Sequence, residues 1–129
     1  MIWLTKDMIL ELHTQQISLY GGRDGILDNN LFESLCAAPY ATFGGNELYP
    51  TILDKAVKYL EGFAGSQAFV DGNKRIGVSS MIMLLALNNI DLTATTEELT
   101  DIGLRVANHD ISTDEILLWL YQHIQFRGC

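Results

Sequence analysis

Positive charge is scarce in this sequence. The 129 residues include 8 lysines and arginines against 16 aspartates and glutamates, which gives a formal net charge of -8. Neutralising the phosphates of a nucleic acid requires clustered cations, so this balance argues against direct nucleic-acid binding. A neutral or basic protein is the kind of partner that the charge favours.

Cysteine is also scarce, with two residues in the whole chain. Cys36 lies in an apolar helical pattern and Cys129 is the last residue, so neither is typical of a disulfide framework. The sequence has no cluster of histidines and cysteines with the spacing of metal ligands. These absences favour a reducing compartment, and we expect a cytoplasmic protein.

Long apolar runs are missing too. The most apolar stretch, Ile76 to Leu87, is interrupted by a glycine and two serines, and it is shorter than the roughly 20 residues that a bilayer requires. The acidic residues Asp7 and Glu11, with no small-residue cleavage site, are unlike a signal peptide. We therefore expect no membrane association.

The composition that remains is that of an ordinary globular protein, with 48% hydrophobic and 19% charged residues. A disordered chain would be less hydrophobic and more highly charged. A chain of this length can bury roughly two thirds of its unfolded surface in one core. We therefore predict a single domain over residues 1–129.

Apolar residues at helical spacing predict six helices. Thr5 and Asp28 can cap the first two, and Pro39 ends the second. The others are predicted from Pro50 to Ala64, from Asn73 to Asn89, from about Thr96 to Asn108 and from about Thr113 to Gln125. Only the irregular segment at about 41–49 is left as a place for strands. The predicted fold class is all-α, a compact bundle of about six helices.

The loop Asp71-Gly72-Asn73-Lys74-Arg75 lies between the third and fourth predicted helices. The first N–H groups of a helix have no partner within it and, together with the helix dipole, form an anion site. Gly72 permits a tight turn, and Lys74 and Arg75 add two positive charges. Asp71 would repel a bound phosphate unless a cation lay between them, and Mg²⁺ fits that role. The residues therefore predict a magnesium–nucleotide site.

An alternative remains open from the residues alone. Asp71 could cap the helix and Gly72 could turn the chain, with Lys74 and Arg75 solvated or paired to carboxylates. An Asp-Gly-Asn turn before a helix is common, so the spacing does not decide between the two interpretations.

A resemblance to the Fic/Doc family is carried by the stretch Gln67-Ala68-Phe69-Val70-Asp71-Gly72-Asn73-Lys74-Arg75. The family motif reads His-x-Phe-x-Asp/Glu-Gly-Asn-Gly/Lys-Arg, and Gln67 stands at the position of its histidine. The resemblance extends over nearly the whole chain, through Leu12-His13, Tyr20-Gly21-Gly22, Gly25, Leu31 to Ser34, Thr42-Phe43-Gly44-Gly45 and Leu48-Tyr49-Pro50. Lys74, in place of glycine, resembles the Doc branch, the toxins of Phd/Doc-type toxin–antitoxin pairs.

The resemblance implies a role for each loop residue. Asp71 would hold Mg²⁺, and Phe69 would anchor the loop to the core. The phosphates of ATP would be bound by Gly72, Asn73, Lys74 and Arg75. The family's flap, which holds a target peptide by strand addition, corresponds to the irregular segment at about 41–49 and includes Thr42, Phe43, Gly44 and Gly45.

The activity implied by the resemblance is phosphoryl transfer from Mg-ATP to a Ser/Thr hydroxyl of a protein target, which inhibits translation. Translation elongation factor Tu is the implied target, and AMP transfer is the alternative reaction. A Phd-like antitoxin is the second implied partner. We expect it to insert a helix or an extended segment into an apolar groove beside the loop.

Gln67 is the one departure from the family motif. The motif histidine takes a proton from the target hydroxyl, and a glutamine amide has no useful basicity for that step. Loss of a general base costs about 10² to 10⁴ in rate, whereas nucleotide binding should survive. Three origins remain open: a substitution that allows a toxic protein to be produced, a natural inactive relative that only binds other proteins, or an enzyme whose base lies elsewhere.

The sequence offers no replacement for the missing base. None of His13, His109 and His123 has a sequence reason to reach the loop, and we expect His13 to be a packed, hydrogen-bonded structural residue. Binding without efficient catalysis is therefore the expectation for this chain.

Overall fold

The computed structural model describes residues 1–128, which form six α-helices and a few short strands. The helices are α1 (Lys6–Tyr20), α2 (Asn29–Ala37), α3 (Ile52–Ala64), α4 (Asn73–Leu87), α5 (Thr96–Ala107) and α6 (Thr113–His123), and a 3-10 turn at Ala38–Tyr40 follows α2. The predicted all-α class with about six helices is confirmed. None of the described helices is long and apolar enough to cross a membrane.

Five of the helices begin at side-chain caps. In each, an oxygen of the capping residue accepts the backbone N–H three positions further along the chain; the caps are Thr5, Asp28, Thr51, Thr95 and Ser112. These starts agree with the predicted ones, because a cap is a local interaction that the sequence shows directly. The exception is α4, whose N-cap is Gly72 and which has no side-chain cap.

The central helix, α4, lies in close contact with α3. A Cβ atom placed on Gly77 would lie 2.9 Å from Ala64 N and 3.2 Å from Leu60 O, so only glycine allows the two backbones to approach this closely. The core face of α4 is fully buried at Ile76, Met81, Leu84 and Leu85. Because α3 and α4 pack so tightly, the loop of residues 65–72 that joins them has fixed ends.

Two antiparallel pairs of short strands accompany the helices. Strand β1 (Thr42–Phe43) pairs with β2 (Asn46–Glu47), and β3 (Ile90–Leu92) pairs with β4 (Ile124–Phe126). The second pair shows that the prediction of strands only within residues 41–49 is wrong. The last helix ends at His123, before the predicted end at Gln125, because β4 begins there. Strands of three residues are too short to show a two-residue period, and their pairing joins segments far apart in sequence.

His123 connects the end of α6 to the start of α5. Its Nδ1 donates to Trp119 O at 2.7 Å, and its Nε2 lies 2.7 Å from Glu98 Oε2. Both partners are acceptors, so a doubly protonated ring satisfies both. The hydrogen bond to the Trp119 carbonyl raises the pKa of His123 above its ordinary value, the Glu98 carboxylate adds to this effect, and partial burial opposes it.

We predict that the fold loses stability as pH rises through the raised pKa of His123, because the ring then loses its second proton. The folded-state pKa is raised above the unfolded value of about 6.5, so the stabilisation is complete below about pH 6.5 and is lost as pH rises through the folded pKa. Thermal unfolding measured from about pH 6 to about pH 9 checks this. His123→Gln is the control and should show a shallower decline; an equal decline in both proteins would contradict the prediction.

Candidate nucleotide-binding site

The loop of residues 65–72 is hydrogen-bonded to residues 22–28, which follow α1 and which we call the bracing segment. Ile26 and Phe69 form an isolated antiparallel bridge between the two. Backbone hydrogen bonds of 2.8 to 3.1 Å flank this bridge, with donors at Val70, Leu27 and Asp28 and acceptors at Gly25 and Ala68. The middle of the loop is therefore paired like a strand, although it is not part of a regular sheet.

The bracing segment also holds the side chain of Asp71. The Arg23 N–H donates to Asp71 Oδ2 at 2.7 Å. A Cβ atom on Gly22, whose φ is 108°, would lie 3.3 Å from Asp71 Cβ, so glycine allows the segment to come this close. Asp71 does not cap α4, since Gly72 occupies the N-cap position. The alternative interpretation of Asp71 as a helix cap is therefore wrong.

The first turn of α4 carries backbone donors that no side chain caps. Gly72 has a left-handed conformation, with φ 81° and ψ 18°, which favours glycine. The Ile76 N–H bonds to Gly72 O, so the N–H groups that precede Ile76 in this turn have no partner within the helix. Such N–H groups, together with the positive end of the helix dipole, are the groups with which a helix start can bind an anion.

Phe69 and Asn73 close the loop on itself. Phe69 is buried beside Phe63 and Phe32, as expected of the loop's anchor. Asn73 Oδ1 accepts from the Phe69 N–H and Asn73 Nδ2 donates to Phe69 O, both at 3.0 Å. The Asn73 side chain thus holds the shape of the loop, and its backbone N–H belongs to the uncapped turn.

A cleft of about 330 Å³ lies against this turn. It brings together five of the predicted site residues, Gln67, Asp71, Gly72, Asn73 and Lys74, and Ala107 of α5 also lines it. Arg75 is not among the lining residues: its guanidinium lies over the ring of Tyr20, 4.4 Å from the centroid. The cleft therefore contains one predicted phosphate-binding cation, and the second lies beside it.

Asp71 is suited to a magnesium ion that is shared with a bound phosphate. Among residues 1–128, no three histidine, cysteine, aspartate or glutamate side chains are grouped to hold a metal. Mg²⁺ usually takes only one or two carboxylates and completes its shell with phosphates and water. The Arg23 N–H takes one acceptor position of Asp71 Oδ2, so Oδ1 has the greater remaining capacity for such an ion.

His13 reaches the loop, although the sequence gives no reason to expect this contact. Its side chain is 1% exposed, and its Nε2 lies 2.7 Å from Asp71 O. The direction of α1 brings the ring to the loop, and no spacing within the sequence could show this. The expectation of a packed, hydrogen-bonded histidine is confirmed.

The predicted flap is a short hairpin made by β1 and β2. Gly44 and Gly45 have φ values of 59° and 82°, the conformation that tight hairpin turns require. Phe43 is 80% exposed, and among residues 1–128 β1 pairs only with β2. The hairpin thus has a free edge to which an extended peptide could add.

Comparison with known proteins decides the family. A sequence model of the Fic/DOC family matches residues 3–85. The chain belongs to the Fic/DOC family. It is 33% identical over 99 residues to Toxin Doc of Mycolicibacterium smegmatis, an alignment that covers 75% of this chain and 76% of that protein. It is 26% identical over 113 residues to Protein kinase doc of Escherichia phage P1, covering 88% of each chain.

This Fic/DOC chain has the apolar groove that was predicted beside the loop. The groove has a volume of about 560 Å³ and lies between α1, α4 and α5. Its apolar lining includes Val78, Ile82, Leu99 and Leu104, and Arg75 and Lys74 lie where it meets the loop. The cleft and the groove therefore share three lining residues, Gly72, Asn73 and Lys74.

Sequence reasoning missed three residues that support this Fic/DOC site: His13, Arg23 and Lys55. The first two contact Asp71, as described above. Lys55 is fully buried in α3, and its Nζ donates to Glu47 Oε1 at 2.9 Å and to Tyr49 O. The sequence held one weak signal for the burial of Lys55. It lies four residues before the buried Tyr59, so both residues share one face of α3.

We predict that Lys55 holds the flap hairpin in place. Lys55→Met should lower the free energy of unfolding by about 1–3 kcal/mol, because hydrogen bonds to a charged group are lost. It should also speed amide hydrogen exchange across residues 42–47. Glu47→Gln is the matched control, and its effect should be smaller because Glu47 is 43% exposed. Unchanged exchange of the hairpin in Lys55→Met would show that another contact holds it.

Proposed function

We propose that this protein is a Doc-type toxin whose cleft binds Mg-ATP and whose scaffold serves phosphoryl transfer to a Ser/Thr hydroxyl of a protein. The uncapped start of α4 beside Asp71 is the observation that carries the proposal. In the other five described helices a side-chain oxygen accepts one N–H of the first turn, whereas no side chain caps α4, and we infer that its donors serve a ligand. The names of the two relatives, Toxin Doc and Protein kinase doc, agree with this reading.

Each group in the cleft would have a distinct task. The donors of the first turn, with Lys74, would bind phosphate oxygens. Magnesium, held jointly by Asp71 and the phosphates, would neutralise the negative charge that develops during transfer. Arg75 would add its charge only after its side chain leaves the ring of Tyr20.

Gln67 limits what the bound nucleotide can do. It is exposed and lines the cleft, where its amide could hold a hydroxyl group of the target. The amide cannot take the proton of that hydroxyl, so we infer that catalysis is impaired by about 10² to 10⁴ relative to a protein with histidine at this position. Binding of Mg-ATP does not depend on this proton transfer.

The target and the reaction follow from the Doc resemblance. An extended segment of a translation factor, elongation factor Tu by resemblance, would add to the free edge of the flap at Thr42 and Phe43 and present its hydroxyl at the cleft. Lys74, where other branches of the family have glycine, favours phosphoryl transfer over AMP transfer. The protein would act in the cytoplasm, where translation takes place.

A Phd-like antitoxin is the second proposed partner. The groove between α1, α4 and α5 has apolar walls and two cations at the loop. An amphipathic helix with acidic residues at one end would match both features. Because groove and cleft share residues, such a partner would also restrict the nucleotide site.

A non-catalytic relative that only binds proteins is the alternative function, and Gln67 is the observation that favours it. The flap and the groove would serve such a protein without any chemistry in the cleft. The two proposed functions predict different results when Gln67 is replaced by histidine.

Restoring histidine tests the proposal. Expression of Gln67→His in a bacterium without the antitoxin should arrest growth, whereas the present sequence should be far less toxic. Purified Gln67→His should also transfer label from γ-labelled ATP to elongation factor Tu; label from α-labelled ATP would indicate AMP transfer. The double variant Gln67→His with Asp71→Ala is the control and should be inactive. A folded Gln67→His protein with neither toxicity nor transfer would favour the non-catalytic relative.

A further inference from the structure

The Asp71–Gly72 peptide has an unusual environment on its carbonyl side. The carbonyl accepts a hydrogen bond from His13 Nε2 at 2.7 Å. The ring of His13 stacks on Phe69 with 3.7 Å between the ring centroids and 12° between the planes. His13 Nδ1 lies 3.3 Å from Asp24 Oδ1 of the bracing segment. The ring is therefore held by stacking on Phe69 and by the hydrogen bond at Nε2.

The orientation of this peptide decides which of its groups faces the anion site. In a trans peptide the C=O and N–H bonds point in opposite directions, and residues 1–128 contain no cis peptide bond. Since the Asp71 carbonyl points toward His13, the Gly72 N–H points away from it. Gly72 lines the cleft, whereas His13 is not among its lining residues.

Glycine at position 72 makes the opposite orientation accessible. A peptide flip changes mainly ψ of Asp71 and φ of Gly72, and glycine adopts both signs of φ at little cost. The flipped peptide would direct a carbonyl oxygen toward the phosphates and remove one donor. The hydrogen bond from buried His13 opposes this flip, because breaking it would leave two polar groups without partners.

We propose that His13 is a positioning residue for nucleotide binding: it holds the Asp71–Gly72 peptide so that the Gly72 N–H serves the anion site and Asp71 keeps its place for the metal. The proposal rests on the proposed Mg-ATP site. His13 contacts neither nucleotide nor metal and acts through the peptide that it holds. A purely structural His13 would affect stability without a specific effect on binding.

Two variants separate positioning from packing. His13→Phe keeps an aromatic ring on Phe69 and removes the donor. His13→Gln loses the stacking but places an N–H donor at about the position of Nε2. If His13 is a positioning residue, His13→Gln should retain binding of Mg-ATP and His13→Phe should not. If His13 acts only by packing, His13→Phe should bind Mg-ATP better than His13→Gln.

The test is titration of Mg-ATP into each full-length protein by calorimetry, below the unfolding temperature of every variant. We expect His13→Phe to bind at least about tenfold more weakly than the present sequence, because the unpaired carbonyl favours the flipped peptide. His13→Gln should stay within about threefold of it. His123→Gln is the control for loss of a histidine far from the loop and should bind normally. Equal affinity of His13→Phe and the present sequence would overturn the proposal.

A second readout keeps the test independent of the nucleotide. In the ligand-free proteins, the amides of Arg23 and Val70 report the pairing of loop and bracing segment, and they should exchange faster in His13→Phe than in His13→Gln. If no protein binds Mg-ATP, the proposed function fails, and this exchange comparison alone decides the role of His13.

If His13→Phe does not fold, ¹⁵N NMR of the present sequence takes the place of the experiments on that variant. A proton on Nε2 that resists exchange supports the proposal, and an Nε2 without a proton overturns it.

Discussion

The candidate site depends on the hydrogen bonds between the loop of residues 65–72 and the bracing segment of residues 22–28. Without them the loop would be a surface connection between two helices, free to take many conformations. With them, its backbone is paired in the middle, Phe69 is fixed in the core and Asp71 is held through its side chain. The start of α4 has no side-chain cap, and these contacts hold the conformation of the residues before it.

The contacts that hold the loop are made by residues other than Gln67. These contacts lie inside the protein and do not depend on whether the residue at position 67 can act as a base. Gln67 lies at the exposed edge of the cleft, so replacing it would disturb none of the hydrogen bonds that fix Asp71 and Gly72. Binding and catalysis are therefore carried by different residues, and one can be lost without the other.

The helices could be predicted from sequence because their signals are local. Thr5, Asp28, Thr51, Thr95 and Ser112 cap helices that begin within a residue of them, and the uncapped glycine before α4 was visible as part of the loop motif. The pairing of β3 with β4 could not be predicted, since it joins segments separated by two helices. His13 and Arg23 were missed for the same reason, since each contacts Asp71, a residue that only the fold brings near. Lys55 was missed although its partners Glu47 and Tyr49 are close in sequence, because a buried lysine is not expected from its residue type.

We propose that the uncapped turn of α4 and Asp71 together bind a magnesium nucleotide. A crystal structure of the protein with Mg²⁺ and a non-hydrolysable ATP analogue would show this binding. We expect phosphate oxygens at the N–H groups that begin with Gly72, and a magnesium ion on Oδ1 of Asp71 with the Arg23 hydrogen bond intact. A nucleotide bound away from this turn, or a metal ion that does not contact Asp71, would show that the proposal is wrong.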